Sequence, residues 1–312
     1  MRRRCLYCYR PLAEGETDMH PACIRKFFGT KRMPAFDYST AQMDELAAQI
    51  IRDRTSLTGV QPKLSLHIME HEGRRRLTIV GLWGAYICKP QTPMYAALPE
   101  IEDLTMHLAE AARISVVPHS LMRMDDGTLC YLTRRIDRTP EGGKIVMEDM
   151  CQLTGRLTED KYRSSCERVG KAVLQYSSMP KMDVTNYLEL LMFCWLTGNN
   201  DMHLKNFSIY EPAEGVFRLS PAYDLLNAAI VNPKDDEELA LTLNGRKKNI
   251  NMADFLKLAE TLGIEAVTIR RLAEKFIRLL PKSEEIIDSS FVPEKLKTRY
   301  KELLRERLAR LR

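Results

Sequence analysis

No apolar run in this 312-residue chain approaches the ~18 residues that a membrane span requires. The longest compact one, Leu190 to Leu196, reads as buried helix. The start, Met1-Arg2-Arg3-Arg4, lacks the apolar segment of a secretory signal. Without a secretory route the eight cysteines are not expected to form a disulfide framework. Internal repeats and low-complexity tracts are missing too. So are a Walker A loop and a three-glycine phosphate loop. These absences exclude a membrane protein and a secreted disulfide scaffold, and they predict a soluble cytoplasmic protein.

Net positive charge is confined to one segment. The net charge is +5, but residues 295–312 carry eight basic side chains against Glu302 and Glu306, so the rest of the chain sums to −1. Leu296, Tyr300, Leu303, Leu304, Leu308 and Leu311 form an apolar seam along that segment, which predicts a solvated basic helix rather than a nucleic-acid arm. With 45% hydrophobic residues, the chain can bury a large core in two domains.

Five cysteines (Cys88, Cys130, Cys151, Cys166 and Cys194) are scattered in apolar contexts and read as small buried residues. The other three cluster with a histidine as Cys5-x2-Cys8 and His20-x2-Cys23. Two close ligand pairs in so short a segment predict a closed, structural Cys3His site for Zn2+. Such a segment cannot bury enough apolar surface to fold alone, and a metal would supply the difference.

Residues 37–54 read as a helix. A glycine-containing turn, Ser56-Leu57-Thr58-Gly59-Val60-Gln61-Pro62-Lys63, then runs into an alternating strand. Leu77–Val80 and Ala85–Lys89 are further strands, and Glu100 to Arg113 is a helix within a small sheet extending to Arg135. Beyond Glu148 the pattern is helical, over 148–155, 158–176, 183–197, 252–262, 266–279 and 294–311, with one strand at Val216–Leu219.

The chemistry concentrates in Asn200-Asp201-Met202-His203-Leu204-Lys205-Asn206. An aspartate five positions before an asparagine is the spacing of a phosphotransferase loop. The carboxylate accepts the proton of the attacking hydroxyl, and the amide oxygen holds Mg2+ against the ATP phosphates. Asp224, closing Ala222-Tyr223-Asp224 after the strand, offers a second Mg2+ ligand. Thr58, Gly59, Val60 and Gln61 are candidates for a phosphate cradle. Lys89 can reach phosphates from a strand end, and Glu102 on the next helix can fix its ammonium. His203 and Lys205 are candidate phosphate neighbours. The order of these parts along the chain is that of kinases, although Leu225-Leu226 follows Asp224 where an ordinary protein kinase has Phe-Gly.

Thr58 to Leu66, Arg135-Ile136-Asp137-Arg138, Asn200 to Ser208 and Pro221 to Leu226 together resemble the signature segments of the HipA family of serine/threonine kinase toxins from bacterial type II toxin–antitoxin systems. The likeness spans roughly residues 55 to 311. It implies an α+β, protein-kinase-like two-lobed fold, with a small β-rich N-lobe over 33–138 and a mostly helical C-lobe over 139–312; the Cys3His segment over 1–32, read from its spacing, precedes them. The likeness implies Asp201 as catalytic base, Asn206 and Asp224 as Mg2+ ligands, Lys89 as an ATP contact and residues 57–63, Lys63 included, as a mobile phosphate loop. Family substrates include aminoacyl-tRNA synthetases. Regulation by autophosphorylation at Ser56 or Thr58 follows from the same likeness. So do the partners, a HipB-like helix-turn-helix antitoxin and a HipS-like small protein, with DNA reached only through the antitoxin. The chain resembles the short, HipT-like members that lack an N-terminal subdomain. Two departures, Ile136 for a usual phenylalanine and Arg134 for a commoner acidic residue, lie beside the expected adenine pocket. The competing expectation is a nucleotide-binding, pseudokinase-like regulator acting through antitoxin partners.

Overall fold

The computed structural model describes residues 3–43, 45, 46, 63–71, 73–80, 83–139 and 142–312. The expected phosphate-loop residues 56–62, including Ser56, Thr58, Gly59, Val60 and Gln61, lie outside the described residues. Of the expected 37–54 helix, the described part is helical at 40–43, 45 and 46. The chain divides into two compact units, with the division falling inside one helix. The first comprises Met1–Asp103, Val117–Gly143 and Ser289–Phe291; the second comprises Leu104–Val116, Lys144–Asp288 and Val292–Arg312.

The first unit is built on an antiparallel five-stranded sheet in the order β2-β1-β3-β5-β4. Its strands are β1 (Leu64–His71), β2 (Arg74–Ile79), β3 (Tyr86–Lys89), β4 (His119–Arg123) and β5 (Leu129–Arg134). Alternation buries Leu64, Leu66, Tyr86, Cys88, Leu121, Cys130 and Leu132 in one core. Helix α1 (Pro21–Phe28) adds Cys23, Ile24, Phe27 and Phe28 to that core, and α2 (Leu98–Ala111) begins in the same unit. Proline at the first turn of α1 and Gly29 at its end, at φ 69°, set the limits of that helix. The Cys3His segment therefore shares the core of the first unit rather than standing apart from it.

The second unit is mainly helical. It holds α3 (Met150–Leu153), α4 (Cys166–Tyr176), α5 (Pro180–Leu196), α6 (Ala228–Val231), α7 (Met252–Thr261), α8 (Ala266–Ser289) and α9 (Glu294–Ala309). An antiparallel three-stranded sheet, β6 (Met147–Asp149), β7 (Ser208–Ala213) and β8 (Val216–Leu219), lies with them. Three expected boundaries shift. Residues 147–149 are strand, and Asp149 caps the short helix that follows, accepting from the Gln152 N–H in a capping box. The expected 158–176 helix is split, with a 3-10 turn at Thr158–Asp160 and a new start where the Ser165 side chain accepts from the Arg168 N–H. Helix α8 runs on through Pro281 to Ser289. Among the described residues, no helix is long and apolar enough to cross a membrane.

Buried Asp183 ties α5 to β8. It accepts from Ser177 Oγ at 2.6 Å, from the Leu219 N–H at 2.9 Å, and from Arg218 Nε and Nη2 at 3.0 and 2.9 Å. Burial pushes its carboxyl up, but these donors outweigh that and hold it below the usual carboxylate range. A depressed carboxyl contributes stability above its unfolded pKa, and that stability is lost as pH falls through the folded value. Urea midpoints recorded from pH 7 downward are therefore expected to fall steeply below pH ~4. Asp183→Asn is expected to flatten that acid limb while lowering the midpoint at neutral pH. An unchanged acid limb would contradict the assignment.

Five of the eight basic side chains of residues 295–312 are engaged in structure. Tyr300, Leu304 and Leu308 are buried on one side of α9. Lys297 pairs with Glu294, Lys301 with Asp288, Arg305 with Glu284, and Arg310 with Glu238 through both oxygens. Arg307, pulled down to about 10 by burial, donates to the Trp195 carbonyl at the end of α5.

Candidate active site

In the second unit the segment Asn200 to Asn206 follows α5 through a turn that only glycine makes easily. Gly198 takes φ 73°, and a Cβ there would sit 2.6 Å from Asn227 Oδ1. Buried Met202, Leu204 and Phe207 sink the loop into the core, whereas Asp201 is exposed. The periodicity thus leaves one carboxylate facing outward on an anchored loop, as a proton acceptor for an incoming hydroxyl requires. Asn206 Nδ2 donates to the Asp201 main-chain carbonyl at 3.1 Å. That carbonyl can only accept, so the nitrogen of the amide is fixed and its oxygen is directed elsewhere.

Asp224 lies in the same unit. The Ser220 N–H donates to the Ser208 carbonyl at 2.9 Å. The Tyr223 hydroxyl lies 2.6 Å from Ser208 Oγ and donates to the Lys205 carbonyl at 3.0 Å. These bonds clamp residues 220–224 to the loop. Asp224 itself sits at φ 55°, a left-handed conformation that is uncommon outside glycine and clusters at functional positions. Asn199 Nδ2 holds its carbonyl at 3.5 Å.

His203 feels the charge of both carboxylates. Burial lowers its pKa to about 4, against the opposing pull of Asp201 and Asp224. Its ring is packed edge-on against Tyr162 at 5.0 Å, and Nδ1 is buried without a hydrogen-bond partner among the described residues. The imidazole is therefore neutral at pH 7 and part of the loop's packing. Histidine-labelled NMR is expected to show its ring titrating near pH 4. A midpoint near 6.5 would mean the ring is solvated.

Tyr162 was not singled out from sequence. Its hydroxyl donates to Asp201 Oδ1 at 2.6 Å, and burial together with the carboxylate pushes the phenol up, so it remains a donor. Lys205 forms an ion pair with Asp149 Oδ2 at 2.7 Å, linking the loop to the start of α3. Contacts from residues 39 and 56 positions away leave no local trace in a sequence, and neither Tyr162 nor Asp149 lies in a motif.

In the first unit, Lys89 Nζ donates to Glu102 Oε1 at 2.5 Å. Both residues are buried, at 4% and 1% exposure, and the ammonium lies 5.5 Å from the centre of the Tyr131 ring. A lone strand-end lysine is normally solvated; this one is held inside by a specific carboxylate. Lys63 is exposed at the edge of β1. In the Arg135–Arg138 segment, Arg135 and Arg138 both pair with Asp137, and the Arg135 N–H donates to the Ala85 carbonyl at 2.8 Å.

Cys5, Cys8, His20 and Cys23 also converge in the first unit. Their ligand atoms all lie within 4.8 Å of one another. Cys8 Sγ and Cys23 Sγ are 3.5 and 3.7 Å from His20 Nδ1. Burial and the neighbouring Cys5 and Cys8 push the Cys23 thiol up to about 12, a crowding of sulfurs that a cation relieves.

Residues 55–283 match the family model of the HipA-like C-terminal domain. Two curated relatives carry names beginning "Putative kinase". The one from Sinorhizobium fredii, Y4dM, is 33% identical over 72% of this chain and 58% of its own length. The one from Haemophilus influenzae is 28% identical over 77% of this chain and 76% of its own. This chain thus spans little more than half of the rhizobial protein. Among solved structures, HipA in complex with HipB and operator DNA from the Shewanella oneidensis MR-1 toxin–antitoxin system aligns at TM-score 0.69 and 21% identity. That alignment covers 96% of this chain and 80% of that one. The proinflammatory kinase CtkA of Helicobacter pylori aligns at TM-score 0.52 and 15% identity, over 80% and 93%. At these identities the likeness establishes a shared mixed α/β fold.

Proposed function

Because the chain belongs to the HipA-like C-terminal domain family, we propose that it is an ATP- and Mg2+-dependent protein serine/threonine kinase, the toxin of a HipBA- or HipBST-like toxin–antitoxin system. The observation that carries this reading is the pinned loop. Asp201 stands exposed beside the Tyr162 hydroxyl, while the Asn206 amide nitrogen is used up on the Asp201 carbonyl. Asn206 Oδ1 and the Asp224 carboxylate are two hard oxygen donors. That set suits Mg2+, which takes few protein ligands and keeps its remaining positions for water and phosphate. Bound there, the ion would neutralise charge on the nucleotide phosphates.

The protein's own part is positioning and proton transfer. Asp201 accepts the proton of the attacking serine or threonine hydroxyl, and the Tyr162 O–H holds the carboxylate in place. Lys89, fixed by Glu102, presents an ammonium to the ATP phosphates. Regulation by autophosphorylation at Ser56 or Thr58, whose added charge would repel the ATP phosphates, belongs to the same reading. The substrate is a translation component of the aminoacyl-tRNA synthetase kind. Neutralisation falls to a HipB-like antitoxin, a HipS-like protein or both. A structural Zn2+ at Cys5, Cys8, His20 and Cys23 belongs to the same proposal.

The test is transfer of label from γ-labelled ATP onto a bacterial extract, with the modified protein identified by phosphoproteomics soon after induction. Mg2+-dependent labelling of serine or threonine in a defined protein is the expected result. ATP binding without transfer would favour a regulator that works through its partners.

A further inference from the structure

We propose that zinc at Cys5, Cys8, His20 and Cys23 is the tie that holds Lys89 and Glu102 in register, so that metal occupancy sets the affinity for ATP. The ATP part of this proposal rests on the kinase reading above; the metal and its effect on the fold do not.

The site itself meets the geometry. Tetrahedral zinc with Zn–S of about 2.3 Å and Zn–N of about 2.05 Å places sulfur and nitrogen roughly 3.6 Å apart. The Cys8 and Cys23 sulfurs lie 3.5 and 3.7 Å from His20 Nδ1. The histidine is also in the right tautomer. Its Nε2 faces the Pro11 carbonyl at 3.0 Å, and because a carbonyl cannot donate, Nε2 carries the hydrogen. In the neutral ring the Nδ1 lone pair then points at the sulfurs, the usual arrangement of a metal-bound imidazole held by a backbone carbonyl. All three cysteines are free thiols. Three sulfurs and one nitrogen in a closed set select zinc over hard cations.

Two arms leave this site, and each reaches an element that carries one member of the buried ion pair, Asp103 beside Glu102 on α2 and Tyr86 at the start of β3. The first starts at Cys8. The next residue, Tyr9, takes φ 61°, and its hydroxyl donates to Asp103 Oδ2 at 2.6 Å. Asp103 follows Glu102 on α2, and its other oxygen accepts from His119 Nδ1 on β4 at 2.7 Å. The second arm starts at Cys23 on α1. Phe27 and Phe28 of that helix pack on Tyr86 at 5.8 and 6.0 Å between ring centres, and Tyr86 opens β3, the strand that ends at Lys89. Without a central ion the turn bearing Tyr9 and α1 are held only by the intervening backbone and by non-covalent contacts such as Tyr7 on Phe27, 5.9 Å between ring centres. With it, the two arms are one rigid piece, and Glu102 and Lys89 are set by the same object.

The test uses the full chain in three forms: wild type, Tyr9→Phe and Cys8→Ser. Metal content by mass spectrometry is expected to be about one zinc per chain in the first two and well below that in the third. Hydrogen exchange in 98–111 and 86–89 is expected to rise in Cys8→Ser, and in wild type stripped with a zinc chelator, while 180–196 is unchanged. The ATP dissociation constant is expected to rise about tenfold in Cys8→Ser and severalfold in Tyr9→Phe, with the maximal transfer rate within about threefold of wild type. Should Cys8→Ser fail to fold, the chelated wild type gives the metal and exchange readings, and Tyr9→Phe gives the loss of ATP affinity. Wild type without zinc overturns the site. Zinc loss with unchanged exchange in 98–111, or with unchanged ATP affinity, overturns the coupling. If wild type binds no ATP, the kinase reading and the ATP coupling fall together, and the metal and exchange measurements still decide the tie.

Discussion

Asp201→Asn is expected to lower the rate of phosphoryl transfer by about 10³-fold, within the range that a positioned general base contributes. ATP affinity is expected to stay within a few-fold of wild type. The substitution keeps the size of the side chain and leaves the Asp201 main-chain carbonyl in place to hold Asn206 Nδ2. It removes the acceptor for the hydroxyl proton and reverses the partnership with Tyr162, whose O–H now meets an amide. Single-turnover kinetics with saturating ATP are the measurement. A loss confined to KM would mean that residue 201 binds substrate and does not accept the proton.

A second large effect is expected in stability. Glu102→Ala removes the carboxylate that Lys89 faces inside the first unit, and breaking one side of a buried pair costs about 3–5 kcal/mol. The urea midpoint of the unfolding step that belongs to this unit should drop accordingly. Glu102→Gln keeps an acceptor and should cost less. The double variant Lys89→Met with Glu102→Leu is the informative one, because apolar replacement of both partners is often close to neutral for folding. It is expected to regain most of the lost stability while ATP affinity stays poor. If the double variant bound ATP normally, Lys89 would be a structural residue and no more.

What could be read from the sequence was whatever is encoded locally. Asp201 and Asn206 are five residues apart, and Cys5, Cys8, His20 and Cys23 fall within nineteen positions, so spacing alone brought each set to notice. Lys89 and Glu102, thirteen apart, were paired by element order, and the structure joins them. The misses are non-local. Residues 147–149 are strand only because β7 runs beside them some sixty positions later, and a capping aspartate with helix formers after it looks like a helix start. The split in 158–176 comes from Ser165, whose hydroxyl offers a cap where periodicity alone would carry the helix on. Tyr9 to Asp103 spans 94 positions, and no property of either residue announces it.

The left-handed turn at Asp224 has one more implication. An L-residue in that conformation is disfavoured by roughly a kilocalorie or more, and glycine is not. A search for hardier variants that scores folding alone will therefore keep returning glycine at this position. Every such variant trades away the carboxylate that the proposed chemistry needs, so at residue 224 robustness and catalysis are selected in opposite directions.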